Sequence, residues 1–270
     1  ARVLALRGHK VSLWERDTVL GGTARVAALA YEPNGRLLSY LINALADLPV
    51  TIALGKTATS EAIQAAGFDT VVLASGARRR APEIVGKNLS HVLDGEELRD
   101  MLFAGSTHGK LKWHQRLLTR VSWLLGFSRN TDLIRKLSHF YMPLGKKICI
   151  IGGGLVGLEV AELLAERGRK VTVLVRRWRV LHQLKESGVD LHRKATVVEI
   201  SKDRVLFTQG EAEHQVFADN VIIALGAEPD KELRQQFASL KLEMHSIGDC
   251  ADIGYIEGAM RSARELAVTL

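Results

Sequence analysis

Six residues, Gly152-Gly153-Gly154-Leu155-Val156-Gly157, stand between an apolar run, Lys147-Ile148-Cys149-Ile150-Ile151, and a mixed run, Leu158-Glu159-Val160-Ala161-Glu162-Leu163-Leu164. Three of the glycines have chemical meaning at this spacing. Gly152 permits a tight turn, Gly154 lets the backbone approach a pyrophosphate, and Gly157 lets a helix pack closely on a strand while its N-terminus faces the anion. The elements that must position them are a buried strand before the run and a helix after it, and the flanking residues have those patterns. The run therefore reads as a dinucleotide fingerprint in the context it requires, with Leu155 and Val156 between its second and third fingerprint glycines. Little else on the chain has catalytic spacing. No paired carboxylates, Ser/His/Asp set or Cys/His pair stands out, and the nine histidines are scattered without ligand-like spacing. Cys149 and Cys250 lie far apart with no CxxC, which disfavours a disulfide scaffold, a redox dithiol and a zinc site.

The chain echoes itself. A slide of 160 residues puts Ala1 on Ala161, Leu4 on Leu164, Ala5 on Ala165, Arg7 on Arg167, Gly8 on Gly168, Lys10 on Lys170 and Val11 on Val171. The opening residues thus predict the end of a crossover helix, a glycine stop at Gly8 and a parallel strand at Val11-Ser12-Leu13-Trp14. The same shift places a first fingerprint ahead of residue 1, so the first copy is expected without its central strand. A second echo, at a shift of 150, matches Asp69-Thr70-Val71-Val72-Leu73-Ala74-Ser75-Gly76-Ala77 with Asp219-Asn220-Val221-Ile222-Ile223-Ala224-Leu225-Gly226-Ala227. Each is a β-branched strand entering a small-residue turn. Repeats this long suit a duplicated nucleotide-binding domain rather than a solenoid.

The predicted fold class is therefore α/β, with two Rossmann-like dinucleotide-binding domains and one inserted into the other. Residues 1–105 and 226–270 form the first, residues 145–225 the second, and 106–144 an insert. The net charge of +7 is localised to that insert and the residues just after it: between Ser106 and Lys147 there are nine basic residues and one acid, Asp132, leaving −1 for the rest. A nucleic-acid-coating protein is thus excluded. Trp113, Leu117, Val121, Leu124 and Leu125 recur at helical steps among Lys112, Arg116 and Arg120, which predicts a basic amphipathic helix. Its favoured role is packing on another domain or subunit; peripheral membrane contact through 110–136 is the weaker alternative and nucleic-acid binding by this segment the weakest. No run of about 18 uncharged apolar residues occurs, and the chain reads as cytoplasmic.

The residue ending the second strand of each domain bears on the ligand, because an acid there accepts hydrogen bonds from the ribose hydroxyls. The first copy has Glu15, followed by Arg16, which suits FAD or NAD. The second copy has Val175, followed by Arg176, Arg177 and Arg179. With the carboxylate gone, guanidinium groups can pair with a 2′-phosphate, so NADP(H) is favoured there and NAD(H) is the alternative. Near the C-terminus, Ile247-Gly248-Asp249-Cys250 precedes a helix-like run and offers a carboxylate for a polyol and amides for a phosphate.

These pieces resemble the two-dinucleotide flavoprotein reductases, most closely the C-terminal half of the 2,4-dienoyl-CoA reductase and trimethylamine dehydrogenase family. The likeness rests on Trp14-Glu15-Arg16 with Leu20-Gly21-Gly22-Thr23, the Ala74-Ser75-Gly76 turn, Gly152 to Gly157 with Glu159, Ala224-Leu225-Gly226-Ala227, and Ile247 to Cys250. It implies FAD in the first domain, near Glu15, Arg16, Gly21, Gly22, Thr23, Ala74, Ser75, Gly76, Gly248 and Asp249. It implies a nicotinamide nucleotide in the second, at the fingerprint, Arg176, Arg177, Ala224 and Gly226. It also implies a TIM-barrel domain ahead of the present residues, carrying FMN, an iron-sulfur cluster and the small-molecule substrate. In related reductases a glutamate at the position of Glu159 lies near the nicotinamide, which makes it the one candidate catalytic residue; the alternative is an acid favoured by the helix dipole. Three departures stand out: Thr23 replaces glutamine, Ser75 replaces threonine, and the second strand-end acid is missing. The implied activity is NAD(P)H-driven reduction of FAD as the electron-input half of a larger enzyme. The alternatives are a stand-alone reductase serving a ferredoxin- or rubredoxin-type acceptor, and a non-catalytic module holding an ADP-like ligand.

Overall fold

The run Lys147–Ile151 folds into the central strand of a five-stranded parallel sheet, and the reason is visible in its side chains. Ile148 and Ile150 face one hydrophobic core and Cys149 and Ile151 another, with all four almost inaccessible to solvent. Burying an isoleucine contributes roughly 1.5–3 kcal/mol, and only a strand covered on both faces captures this at consecutive positions.

The computed structural model describes residues 1–79, 81–103, 131–176 and 188–270. Along the chain run α1 (Arg2–Leu6), β1 (Val11–Glu15), α2 (Ala24–Ala30), α3 (Glu32–Ala46), β2 (Val50–Leu54), α4 (Ser60–Ala66), β3 (Thr70–Leu73) and β4 (Ala77–Arg79). There follow β5 (Val92–Asp94), α5 (Gly95–Phe103), α6 (Thr131–Leu137), β6 (Lys147–Ile151), α7 (Leu155–Glu166), β7 (Lys170–Val175) and β8 (Asp190–Arg193). The last elements are β9 (Ala195–Ile200), β10 (Arg204–Gln209), β11 (Ala212–Phe217), β12 (Asn220–Ile223), β13 (Ala227–Pro229), α8 (Lys231–Gln236), β14 (Glu243–Ser246) and α9 (Tyr255–Thr269). None of the described helices is long and apolar enough to cross a membrane.

The chain divides into two compact units: residues 1–25, 36–80 and 227–270 form the first, and residues 26–35 and 81–226 the second. In the second, strands lie in the order β5-β12-β6-β7-β8, all parallel. Leu158, Val160, Ala161 and Leu164 of α7 join the core on one face of that sheet. The antiparallel sheet β11-β10-β9 contributes Val205 and Phe207 to the core on the other. Residues 81–103 were expected in the first domain, yet β5 pairs with β12, and Leu98 and Met101 of α5 pack into the α7-side core. A reciprocal cap starts α5: Asp94 Oδ1 accepts the N–H groups of Glu96 and Glu97, while Glu97 Oε2 accepts that of Asp94. Of the predicted insert, residues 106–130 lie outside the described residues. Its exit, α6, is tied to α7 by Arg167, whose Nε donates to Ser138 Oγ at 2.7 Å and whose Nη1 donates to the Leu163 carbonyl at 2.8 Å.

In the first unit β1 pairs with β2 and β3 with β14, both parallel, around a core of Ile63, Leu73, Phe237 and Cys250. Trp14 packs edge-on against Phe68, with the Lys56 ammonium 3.4 Å over its ring. The predicted repeats hold in space. β1 corresponds to β7 and β3 to β12, but β7 and β12 flank β6, whereas β1 and β3 do not pair with each other. The repeat-related strands β4 and β13 pair antiparallel with one another, just where the chain leaves the first unit and returns to it.

Candidate functional site

In the second unit, Gly152 turns the chain at φ 124 directly after β6, and its N–H donates to the Leu174 carbonyl of β7 at 3.0 Å. A Cβ there would lie 2.6 Å from the Ala224 carbonyl oxygen, so the turn admits only glycine. At Gly157 a Cβ would collide with the Gly152 carbonyl oxygen and press on the Ala224 methyl. Ala224, whose N–H donates to the Ile151 carbonyl, is thus small for the same reason. Gly153 faces Val175: a Cβ on it would stand 2.5 Å from a valine γ-carbon.

Gly154 differs from these. Its backbone, at φ −76 and ψ 172, suits any residue, and a Cβ on it would meet nothing within 4 Å. Neither strain nor packing explains glycine here, but close approach of a ligand does. Gly154 is also the N-cap of α7 and supplies no side-chain acceptor to the first-turn amides. Those amides and the positive end of the helix dipole leave a cradle for a phosphate. This geometry fits a dinucleotide.

Around that turn, Leu155 is half exposed and Val156 partly buried. Val175 is buried at the end of β7, Arg176 beyond it is exposed, and Arg177 lies outside the described residues. Glu159 is half-buried, and burial, with a smaller contribution from the Glu162 carboxylate, raises its carboxyl above the ordinary value. It has no hydrogen-bonding partner among the described residues. Burial pushes the Cys149 thiol up to about 12, so it is inert as a nucleophile. Both cysteines are free and buried, and they belong to different units.

In the first unit the pairing of β3 with β14 brings two predicted segments together. Ile247 N–H donates to the Leu73 carbonyl at 2.9 Å, and the Cys250 thiol donates to the same oxygen at 3.1 Å. This sets the turn Ala74-Ser75-Gly76 beside the turn at Gly248-Asp249. Ala74 and Ser75 are exposed, and Gly76 and Gly226 turn at the same φ of 80, as their repeat relation predicts. Asp249 Oδ1 accepts the N–H groups of Gly254 and Tyr255, both at 2.9 Å, and so organises the entry to α9. Gly248 N–H donates to Ser262 Oγ at 2.9 Å, a contact with no signal in the sequence. Tyr255 was also missed: it is a half-exposed tyrosine held at φ 57.

Glu15 closes β1, and its Oε1 accepts the Asp17 N–H at 2.9 Å, while its carbonyl accepts the Lys56 N–H. Arg16 follows it. A Cβ on Gly21 would press on Leu38 and Arg25, whereas Gly22 has open space and Thr23 is exposed. No hydrogen bond among the described residues joins the Glu15 segment to Gly248-Asp249.

The family model for pyridine nucleotide-disulphide oxidoreductase matches residues 46–252. The bilirubin reductase of Mediterraneibacter gnavus is 29% identical over 264 residues, covering 93% of this chain and 35% of that protein. A rubredoxin-NAD(+) reductase of Pseudomonas putida is 27% identical, covering 62% of this chain and 50% of that protein. Among solved structures, a 2-naphthoyl-CoA reductase superposes over the whole chain and 37% of its own length, with a TM-score of 0.79 and 24% identity. The chain spans 35 to 41% of the length of its first four curated relatives. The sequence match and the two nucleotide-type units agree: the chain belongs to the pyridine nucleotide-disulphide oxidoreductase family, FAD-dependent oxidoreductases that use a nicotinamide nucleotide.

Proposed function

We propose that this chain is the electron-input part of a larger reductase of the 2,4-dienoyl-CoA reductase kind, with FAD held by the first unit and NADPH by the second. One observation carries the reading: Gly154 is a glycine that the protein's own packing does not require, at the uncapped N-terminus of α7. The pair of cofactors, when bound, supplies hydride transfer from nicotinamide to flavin. The protein's part is to bind and orient. The α7 amides and Gly154 would receive the pyrophosphate, Ala224 and Gly226 border the turn, and Arg176 would pair with a 2′-phosphate; Arg177, outside the described residues, is assigned to the same group on its sequence position alone. Glu15 keeps its second carboxylate oxygen for ribose hydroxyls, Arg16, Gly21, Gly22 and Thr23 border the pyrophosphate, and Asp249 keeps Oδ2 for the flavin's polyol chain. Ala74, Ser75, Gly76 and Gly248 complete that wall. Glu159, short of partners and poorly solvated, is the candidate positioning group at the nicotinamide.

On this reading a strand and glycine turn ahead of α1 complete the first unit, as the resemblance implies. The small-molecule substrate, FMN and an iron-sulfur centre are assigned to a preceding barrel domain. The stand-alone alternative, handing electrons to a small acceptor protein, draws on the rubredoxin reductase likeness; it matches less of the chain than the longer relatives do. Anaerobic visible spectroscopy of the full-length protein tests the proposal. Stoichiometric NADPH is expected to bleach the flavin bands, and more readily than NADH. Absence of bleaching with either nucleotide would overturn the electron-input reading in favour of a non-catalytic nucleotide-binding module.

A further inference from the structure

A 2′-phosphate carries about two negative charges at neutral pH, and the sequence offers guanidinium groups for it only directly after β7. The sheet register supplies one that linear spacing does not. β7 and β8 run parallel with Thr172 opposite Asp190, Val173 opposite Leu191, Leu174 opposite His192 and Val175 opposite Arg193. Arg193 therefore ends β8 level with Val175, the residue that stands where Glu15 stands in the first unit. Side chains of paired residues in a parallel ladder share a face, and alternate residues of a strand do too. Arg193 thus lies on the face of Val175 and Leu191, both of which belong to the α7-side core.

The two other ionisable residues of β8 are on the opposite face, where His192 Nε2 lies 3.2 Å from Asp190 Oδ2. Asp190 is consequently turned away from the Arg193 side. Arg193 is exposed, while its carbonyl accepts the Gln209 amide at 2.7 Å, which fixes the backbone at the strand end. A long cation on a pinned strand end, beside a position stripped of its carboxylate, is suited to a phosphate monoester.

We propose that Arg193 is a specificity-determining residue of the second nucleotide site, pairing with the adenosine 2′-phosphate alongside Arg176. The inference rests on the NADPH reading above, and calorimetric binding of adenine nucleotides to the full-length protein separates the two. The probes are 2′,5′-ADP and 5′-ADP, and neither involves flavin reduction. Wild type is expected to prefer 2′,5′-ADP. Arg193→Gln should weaken 2′,5′-ADP by about 10- to 100-fold, the range of a charge-assisted hydrogen bond, with 5′-ADP changed less than about twofold. Arg193→Lys, which keeps the charge without the fork, should fall between. A wild-type preference that survives Arg193→Gln undiminished overturns the role of Arg193 alone. A wild type that binds both probes equally overturns the NADPH reading, and the role of Arg193 with it.

Discussion

The substitution Gly154→Ala separates ligand binding from folding at one atom. The new methyl meets nothing within 4 Å, and the backbone at φ −76 and ψ 172 is ordinary for alanine. Two small effects on stability oppose each other. Alanine is a poorer N-cap than glycine by about 0.5–1 kcal/mol, and reduced freedom of the unfolded chain returns about 0.4–1 kcal/mol. The net change is near zero, within about 0.5 kcal/mol. The nucleotide experiences something different, because the methyl fills the space a pyrophosphate must approach. A loss of about 10- to 100-fold in affinity, equivalent to about 1.4–2.8 kcal/mol, is expected. Gly157→Ala is the contrasting control: its methyl collides with the Gly152 carbonyl and presses on Ala224, so about 1–3 kcal/mol of stability should go as well. Urea unfolding and calorimetric titration with 2′,5′-ADP read the two quantities. A Gly154→Ala protein that binds as wild type refutes the assignment of that space to the ligand. One that unfolds like Gly157→Ala refutes the packing argument.

Other perturbations follow from the same contacts. The Glu159 carboxyl is raised by burial and by Glu162, so the native state holds its proton more tightly than the unfolded chain and stability falls as pH rises from the ordinary glutamate range to the raised value. Glu159→Gln should therefore unfold later than wild type at neutral pH, with the gap closing in acid, and should slow flavin bleaching by NADPH; a gap that grows in acid would contradict the sign. The Arg167 side chain is 1% exposed and bonded to Ser138 and Leu163, so Arg167→Ala should cost about 2–4 kcal/mol and Ser138→Ala about 1–2 kcal/mol in urea unfolding. Equal stability of either variant with wild type would show that the tie to α6 carries no load. Tyr255 at φ 57 should make Tyr255→Gly about 1 kcal/mol more stable than Tyr255→Ala, since alanine keeps the strain and glycine releases it. Identical melting of the two would dismiss the strain.

How much of this was readable in the residues depends on the distance over which each feature is decided. β6, α7 and the turn between them are local: the apolar run, the three glycines and the following helix pattern lie within 20 consecutive positions. The strands at 11, 70 and 220 were readable because the chain repeats itself, so each was seen twice. The allegiance of residues 81–103 was not readable, because β5 has three residues and its place depends on a hydrogen-bonded neighbour, β12, far along the chain. The cap Asp94-Gly95-Glu96-Glu97 did mark a helix start there, but a cap says nothing about which core the helix joins. The sheet β9 to β11 left only the alternation of Val205 and Phe207 with partly exposed neighbours as its trace.

The nucleotide site shows the same division more sharply. The repeat identifies Val175 as the position lacking an acid, and on the sequence that absence favours a 2′-phosphate, with NAD(H) as the alternative. The structure supplies a second constraint: the Val175 methyls lie against Gly153, so a longer polar side chain at 175 would have to leave this packed place or displace the turn. Glycine at 153 and valine at 175 are one packing decision. Arg176, directly after β7, and Arg193, opposite Val175 on the neighbouring strand, are then the cations next to the end that decision leaves uncharged. Restoring an acid by Val175→Glu should therefore cost stability before it changes coenzyme choice. Adding an acid at the exposed position, by Arg176→Glu, should change the choice without that cost.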